Sequence, residues 1–167
     1  VAECVQTISI SDNTPPAITC PDDFTVSCDQ STEPSNTGYA TCEHQEIPAH
    51  SDQVIPGSCP GNYVIIRTWT CTDDCDNSSS CQQTITVIDN TPPVPPAAPL
   101  NVLVKCAGDV PPAVNLTATD NCSGDITVAP TDVINPGNCP NSYEVVRTWT
   151  FDDGCGNISS ISQTITV

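Results

Sequence analysis

The chain is short of one sign of charge. Of its 167 residues only Arg67, Lys105 and Arg147 are basic, set against 20 carboxylates, for a net charge of −17. Phosphate contacts need a basic face, so a nucleic-acid partner is not expected. The same shortage argues against binding an anionic membrane surface. No apolar run approaches the length of a membrane span, so insertion is not expected either. Methionine is absent and aromatic residues make up 4%, so any core must be lean. There is no C-x-x-C pair of the kind thiolate zinc sites use, and no glycine-rich phosphate loop. His44 and His50 are the only histidines and have no repeated nucleophile beside them. A Ser/His/Asp site is recognised by geometry rather than spacing, but nothing here points to one, and the chain reads as a non-enzyme. No signal peptide opens it, so it reads as a mature protein or an excised piece of one.

What is present is a repeat. Residues 59–71, C-P-G-N-Y-V-I-I-R-T-W-T-C, return as residues 139–151, C-P-N-S-Y-E-V-V-R-T-W-T-F. Cys59, Tyr63, Arg67 and Trp69 thus recur as Cys139, Tyr143, Arg147 and Trp149. Asp12-Asn13-Thr14-Pro15-Pro16 likewise recurs as Asp89-Asn90-Thr91-Pro92-Pro93. Two copies of one module joined end to end are expected, over residues 11–88 and 89–167. Domains of about 80 residues bury limited apolar surface and need staples. Twelve cysteines supply them, an even number that reads as a disulfide framework in an oxidising compartment, hence a secreted or cell-surface protein.

Short segments rich in Val, Ile and Thr alternate with Pro, Gly, Asn and Asp, which is a β signature. Strands are expected at 102–104, 126–128, 143–151 and 161–167. In residues 81–87 and 161–167 the period of two puts Ile85, Val87, Ile165 and Val167 inward, with Thr84 and Thr86 outward. The fold class expected is all-β, two tandem immunoglobulin-like sandwiches. Residues 4–10, C-V-Q-T-I-S-I, copy the closing strand once more. Residues 1–10 are therefore expected to form an extra N-terminal strand, either the end of a preceding repeat or an arm that adds to the sheet of another copy.

Four cysteine positions match by offset, Cys28/Cys106, Cys42/Cys122, Cys59/Cys139 and Cys75/Cys155. Connectivity is not fixed by sequence. The pairing chosen joins two loops at one pole, Cys42–Cys75 and Cys122–Cys155, which leaves Cys28–Cys59 and Cys106–Cys139. Cys20 and Cys81 are both absent from the second repeat, where Ala97 and Ile161 stand, as expected of a bonded pair. Cys4 and Cys71 remain, either paired with each other or with Cys71 a buried thiol where the second repeat has Phe151.

The strings D-N-T-P-P, C-P-D-D-F-T-V-S-C and R-T-W-T-C-T-D-D-C-D-N-S-S-S-C-Q-Q-T-I-T-V resemble hyalin-repeat-like (HYR-like) modules, those of very large secreted surface proteins and gliding adhesins of Bacteroidota above all. The resemblance covers nearly the whole chain and is weakest over residues 29–58. It implies an immunoglobulin-like sandwich and a role in extracellular adhesion or filament building.

Oxygen-rich loops cluster where a linker would meet the loop before the last strand. In the first repeat these are Asp12, Asn13, Asp73, Asp74, Asp76 and Asn77, with Glu43 opposite. In the second they are Asp89, Asn90, Asp120, Asn121, Asp125, Asp152, Asp153 and Asn157. Six or more oxygens in one place suit Ca²⁺, and the linker loosely resembles the calcium-stiffened linkers of cadherins; Asx residues also make turns without metal. N-glycosylation sequons fall at Asn77, Asn115, Asn121 and Asn157, with Asn115 in an expected loop. Trp69 and Trp149 are expected in the core, covered by Arg67 and Arg147 that pair with carboxylates. The function expected is a structural segment of an extracellular filament or repetitive surface adhesin, its joints stiffened by calcium and its partners copies of itself. The alternative is a carbohydrate- or protein-binding module of a larger secreted protein.

Overall fold

The structure, a computed structural model, describes residues 3–43 and 47–167. His44 and the first two residues of the expected N-terminal strand lie outside that range. The chain is all-β, as the alternation of apolar and polar residues demands. It divides into two compact units. The first comprises Val1–Val26, Gln30–Ile55 and Val64–Val87, the second Ser27–Asp29, Pro56–Tyr63 and Ile88–Val167. The second unit therefore includes two short segments from the sequence range of the first repeat.

The first unit holds a four-stranded sheet in the order β2 (Phe24–Ser27), β6 (Ser78–Ile88), β5 (Tyr63–Thr72), β4 (Ala49–Pro56). A two-stranded sheet pairs β1 (Ile18–Thr19) with β3 (Thr41–Cys42). A single helical turn, α1 (Pro34–Thr37), begins on a proline whose missing N–H would have been unsatisfied there in any case. Trp69 is fully buried, and its ring meets those of His50 and Tyr39 at 4.9 and 6.3 Å. Ile85 and Val87 are buried on the inner face, while Thr84 and Thr86 lean outward as the period of two requires.

The second unit repeats the plan. Its four-stranded sheet runs β10 (Thr131–Pro136), β11 (Tyr143–Asp152), β12 (Ile158–Thr166), β7 (Val102–Leu103). The first two pairings are antiparallel, and β7 lies parallel to β12. The small sheet pairs β8 (Leu116–Asp120) with β9 (Gly124–Val128). Ala118, Trp149 and Phe151 form the core between the two sheets, with Leu116, Ile126, Val128 and Ile161 packed around them. Ile165 is fully buried, while Val167 is half-buried at the strand end.

Each unit seats its arginine under the sheet. Arg67 is 2% exposed and donates from Nε and Nη2 to the two carboxylate oxygens of Asp52 at 2.8 Å. Its remaining donors reach the Thr37 hydroxyl and the Thr32 carbonyl, and its guanidinium lies 5.9 Å from the centre of the Trp69 ring. Arg147 makes the same bidentate pair with Asp132 and donates to the Pro111 carbonyl. Forked pairing of this kind is what lets an arginine be buried without leaving its charge uncompensated.

Two expectations are corrected. Residues 3–10 form no strand; Val5, Ile8 and Ile10 are 87%, 74% and 93% exposed, because an alternating pattern makes a strand only where a neighbour supplies backbone partners. Most of the disulfide scheme also differs. The structure pairs Cys20 with Cys81, but it joins Cys42 to Cys71, Cys28 to Cys122 and Cys59 to Cys155. Cys4, Cys75, Cys106 and Cys139 are free and exposed. Hence Cys42–Cys75, Cys122–Cys155, Cys28–Cys59, Cys106–Cys139 and Cys4–Cys71 do not form.

Backbone pairing shows why the offset misled. The Ala17 carbonyl accepts from Glu43 N–H, and its copy Val94 exchanges both backbone bonds with Thr119. Glu43 thus corresponds to Thr119, and Cys42 to Ala118 rather than Cys122. The Cys42–Cys71 bond of the first unit stands where Ala118 meets Phe151 in the second. Both cysteines of that bond are exchanged together for an apolar pair, just as Cys20 and Cys81 are.

This equivalence makes a prediction. The bond closes a 29-residue separation, worth roughly 3 kcal/mol in the chain-entropy model, so Cys42→Ala with Cys71→Ala should lower the Tm of the first unit by roughly 10–20 °C. Cys42→Ala with Cys71→Phe should recover at least half of that loss in thermal melts followed by circular dichroism. Equal losses in both variants would show that the two pairs are not interchangeable.

Candidate functional site

The loop before each last strand is built on one aspartate. In the second unit Asp153 Oδ1 accepts from the backbone N–H of Cys155 (2.7 Å) and Asn157 (3.1 Å), and its Oδ2 accepts from Asn157 Nδ2 at 2.6 Å. The other amide hydrogen of Asn157 goes to the Asp89 carbonyl at 3.1 Å, which fastens the Asp89-Asn90-Thr91 turn to the loop. The first unit repeats the clasp. Asp73 accepts from Cys75 N–H, Asn77 N–H and Asn77 Nδ2, and Asn77 Nδ2 also reaches the Asp12 carbonyl. Asp12 and Asp89 each cap their own turn by accepting from Thr14 N–H and Thr91 N–H. The loop ends with a left-handed residue, Asp76 at φ 65 in one copy and Gly156 at φ 98 in the other.

Segments 27–29 and 56–63 complete the site in the second unit. Cys28 bonds Cys122 and Cys59 bonds Cys155, with Cα separations of 5.8 and 5.3 Å. Asn62 Oδ1 accepts from Asp89 N–H at 2.6 Å. Gly61 has no room for a side chain, since a Cβ there would lie 2.6 Å from Asp89 Cβ and 3.0 Å from Cys122 Cβ.

Asp89 is thereby enclosed, at 3% exposure. Its Oδ1 serves Thr91, but its Oδ2 is buried with no hydrogen-bond partner, as is Oδ2 of Asp120. A carboxylate oxygen of Asp89, one of Asp153 and Cys155 Sγ lie within 4.8 Å of one another. Cys155 is in a disulfide and offers no thiolate, so the ligating chemistry available is carboxylate oxygen. A buried, unpaired carboxylate oxygen is costly, and both arginines are committed to Asp52 and Asp132. Carboxylate oxygen is the ligand type that hard cations such as Ca²⁺ take.

Of the expected calcium ligands the structure brings together Asp89, Asp153 and Asn157, the last as a donor to both of the others. Asn90, Asn121, Asp125 and Asp152 are exposed, and Asp120 Oδ1 is occupied by the backbone N–H of Cys122 and Ser123. In the first unit Asp12, Asn13, Asp74, Asp76 and Glu43 are exposed. Among the described residues the first unit gathers no cluster of carboxylates of this kind. Asn77 and Asn157 use both amide hydrogens inside the fold, which a glycan on that nitrogen would break. Asn115 is exposed, and Asn121 Nδ2 lies 3.7 Å from Cys28 Sγ. Trp69 and Trp149 are buried and present no face to a sugar. Sequence reasoning missed Gly61 and Asn62. The signal was the difference between C-P-G-N and C-P-N-S within otherwise matching segments.

Three carboxylates sit below their ordinary range. The Arg67 guanidinium, hydrogen-bonded to Asp52, lowers it against the opposing effect of burial. Arg147 does the same for Asp132, and Asp132 in turn raises Arg147. At Asp153 burial pushes upward, but the Asn157 amide and the backbone N–H groups of Cys155, Asn157 and Gly156 outweigh it.

Residues 94–167 match the model of the family described as "HYR-like domain with 4 cysteines". The cysteines in that span are Cys106, Cys122, Cys139 and Cys155. A crystal structure of protocadherin gamma C5 EC1-3 is similar over 92% of this chain and 68% of its own, at 9% identity and a TM-score of 0.28. No curated protein matches the sequence.

Two outcomes follow. Asn157→Ala should cost about 1–3 kcal/mol in urea denaturation, because it frees the Asp89 carbonyl and an oxygen of Asp153. Carboxylates depressed in the folded state bind fewer protons there than in the unfolded chain. Their stabilisation is complete above the unfolded value and is lost as pH falls through the folded one, so stability should decline below about pH 4. Asp153→Asn should flatten that acid limb, and an unchanged limb would place the titration elsewhere.

Proposed function

We propose that this chain is a run of extracellular, adhesion-type repeats serving as a covalently tied segment of a repetitive surface adhesin or filament, with Ca²⁺ at Asp89 and Asp153 stiffening it. The observation that carries the reading is the make-up of the second unit. Two disulfides and the Asn62–Asp89 bond build segments 27–29 and 56–63 into it, so the structure is continuous across the boundary of the sequence repeats. Bonds that close separations of 94 and 96 residues constrain the unfolded chain by about 4–5 kcal/mol each in the entropic model. They also require an oxidising compartment, which fits secretion or surface display. Arrays of this kind derive function from length and surface rather than from a catalytic pocket.

Calcium is supported by the unpartnered buried oxygen of Asp89 and by the net charge of −17, whose self-repulsion a divalent cation relieves. Residues 3–10, unpaired and with Val5, Ile8 and Ile10 exposed, are the segment suited to strand addition to another copy. Asn115 is the position suited to an N-glycan.

Calorimetry on metal-stripped protein should show one Ca²⁺ bound with a Kd in the range of about 0.1–1 mM, typical of extracellular modules. Asp89→Asn should weaken it at least about tenfold, as loss of a charged ligand does. No heat at millimolar Ca²⁺ would remove the metal. Electron microscopy of the natural material should show ordered filaments that soften in EGTA, and isolated compact particles would remove the array.

A further inference from the structure

One of the disulfides within the chain has a free copy of each of its two halves elsewhere in the sequence. Cys59 and Cys155 are bonded. Cys139 is the repeat copy of Cys59, and Cys75 is the repeat copy of Cys155; both are free and exposed. The copies agree in local structure as well as in sequence. Around Cys59, Asn62 N–H donates to the Cys59 carbonyl at 3.1 Å and Gly57 N–H to the Asn62 carbonyl at 2.9 Å. Around Cys139, Ser142 N–H donates to the Cys139 carbonyl at 3.1 Å and Gly137 N–H to the Ser142 carbonyl at 2.8 Å. Cys155 is set by Asp153 Oδ1 at 2.7 Å and Cys75 by Asp73 Oδ1 at 2.9 Å. The Asn157–Asp89 clasp beside the bonded sulfur has its counterpart in the Asn77–Asp12 clasp beside the free one.

We propose that Cys139 of one copy and Cys75 of a second copy form the disulfide that Cys59 and Cys155 form within the chain, joining copies head to tail. The two halves are different surfaces, so the contact is heterologous and repeats without closing on itself. Cys106, the copy of Cys28, has no such partner on a second copy. Counted along the sequence from the Glu43–Thr119 correspondence, the first repeat has no cysteine at the position matching Cys122. One disulfide per junction is therefore expected between copies of this chain.

The step needs a disulfide oxidant, and oxidised glutathione serves. The Cys75 thiolate attacks it, forming a mixed disulfide and releasing one glutathione thiolate, which takes up a proton. The Cys139 thiolate then attacks the Cys75 sulfur, and the second glutathione leaves in the same way. Two protein thiols lose two electrons and two protons, and one glutathione disulfide becomes two thiols.

The proposal rests on reading the chain as array repeats, and its test separates the two ideas. In a Cys4→Ser/Cys106→Ser background, Cys75→Ser and Cys139→Ser are made as two separate proteins. Each is incubated alone, and then both together, in a glutathione redox buffer. Products are read on non-reducing gels and by mass spectrometry of cross-linked peptides. Each variant alone should stay monomeric. The mixture should give at least about ten times more dimer, stopping at two chains and containing the Cys75–Cys139 peptide, because each partner supplies one complementary thiol. The background protein with both thiols should give a ladder. Equal dimer in single and mixed samples, or a Cys75–Cys139 bond inside one chain, would overturn the proposal. Regular filaments of the wild-type chain in which Cys75 and Cys139 remain thiols would sink the disulfide while leaving the array intact.

Discussion

In each unit a two-stranded sheet has to be held against a four-stranded one with very little apolar material. Methionine is absent and aromatic residues are few, so neither unit can rely on a large core. The second unit meets the constraint by packing Ala118 on β8 against Trp149 and Phe151 on β11, with Ile161 beside them. The first meets it covalently, through Cys42–Cys71 between β3 and β5 and Cys20–Cys81 onto β6. Burying a phenylalanine contributes about 1.5–3 kcal/mol, and closing a loop of some 30 residues contributes a similar amount through the unfolded state. The two solutions are energetically comparable, which is why one fold tolerates both. The tryptophan common to both units marks the inner face of the central strand, and the arginine two residues before it is buried with its fork closed on an aspartate from the neighbouring strand.

Charge is the second constraint, and it follows from the first. With so few apolar residues, solubility and turn geometry fall to carboxylates, and only three cations answer them. Both arginines are consumed by Asp52 and Asp132. Most other acidic groups are exposed or accept from backbone N–H groups in Asx turns, which satisfies an oxygen without a counter-charge. Asp89 and Asp120 each keep one buried oxygen without a partner, and Asp89 is the more enclosed of the two. Asp89 lies in the turn that begins the second repeat, held on one side by Asn62 and on the other by Asn157, and the enclosure leaves one of its oxygens with nothing to bind. Cation binding at this point would couple the turn to the loop at Asp153 more tightly than the hydrogen bonds alone do. The functional reading and the electrostatic account thus meet at the same residue.

The all-β class, the strands that carry Ile85 and Ile165, and the buried arginines and tryptophans were legible because each is written locally, by alternation or by exact repetition. The disulfides were not, because pairing is a property of non-local geometry. Cys42 and Cys122 share the same 80-residue offset as Cys59 and Cys139, yet the pairings at Ala17 and Val94 make Cys42 the equivalent of Ala118. A difference in loop length upstream is invisible to an offset fixed further along the chain. Residues 3–10 have the alternation of a strand and no strand partner, since a pattern of side chains specifies a face but not a neighbour. At the site, the acidic clusters were visible in sequence. Which oxygen would be left unsatisfied was not, because that depends on Gly61 admitting the Asp89 side chain.

The repeat in the sequence and the unit in the structure are therefore different objects. A cut between residues 88 and 89 respects the repeat, but it removes Cys28, Cys59 and Asn62 from the second unit. Cys122 and Cys155 would then lose their bonds, and Asp89 N–H its acceptor. Conversely, the four cysteines of residues 94–167 include two bonded to sulfurs outside that span and two, Cys106 and Cys139, that are the copies of those outside partners. Read along the chain, the first repeat presents Cys28 and Cys59 to the second, which accepts them at Cys122 and Cys155. The first repeat closes Cys20–Cys81 and Cys42–Cys71 within itself, whereas Cys122 and Cys155 of the second are bonded only to sulfurs of the first.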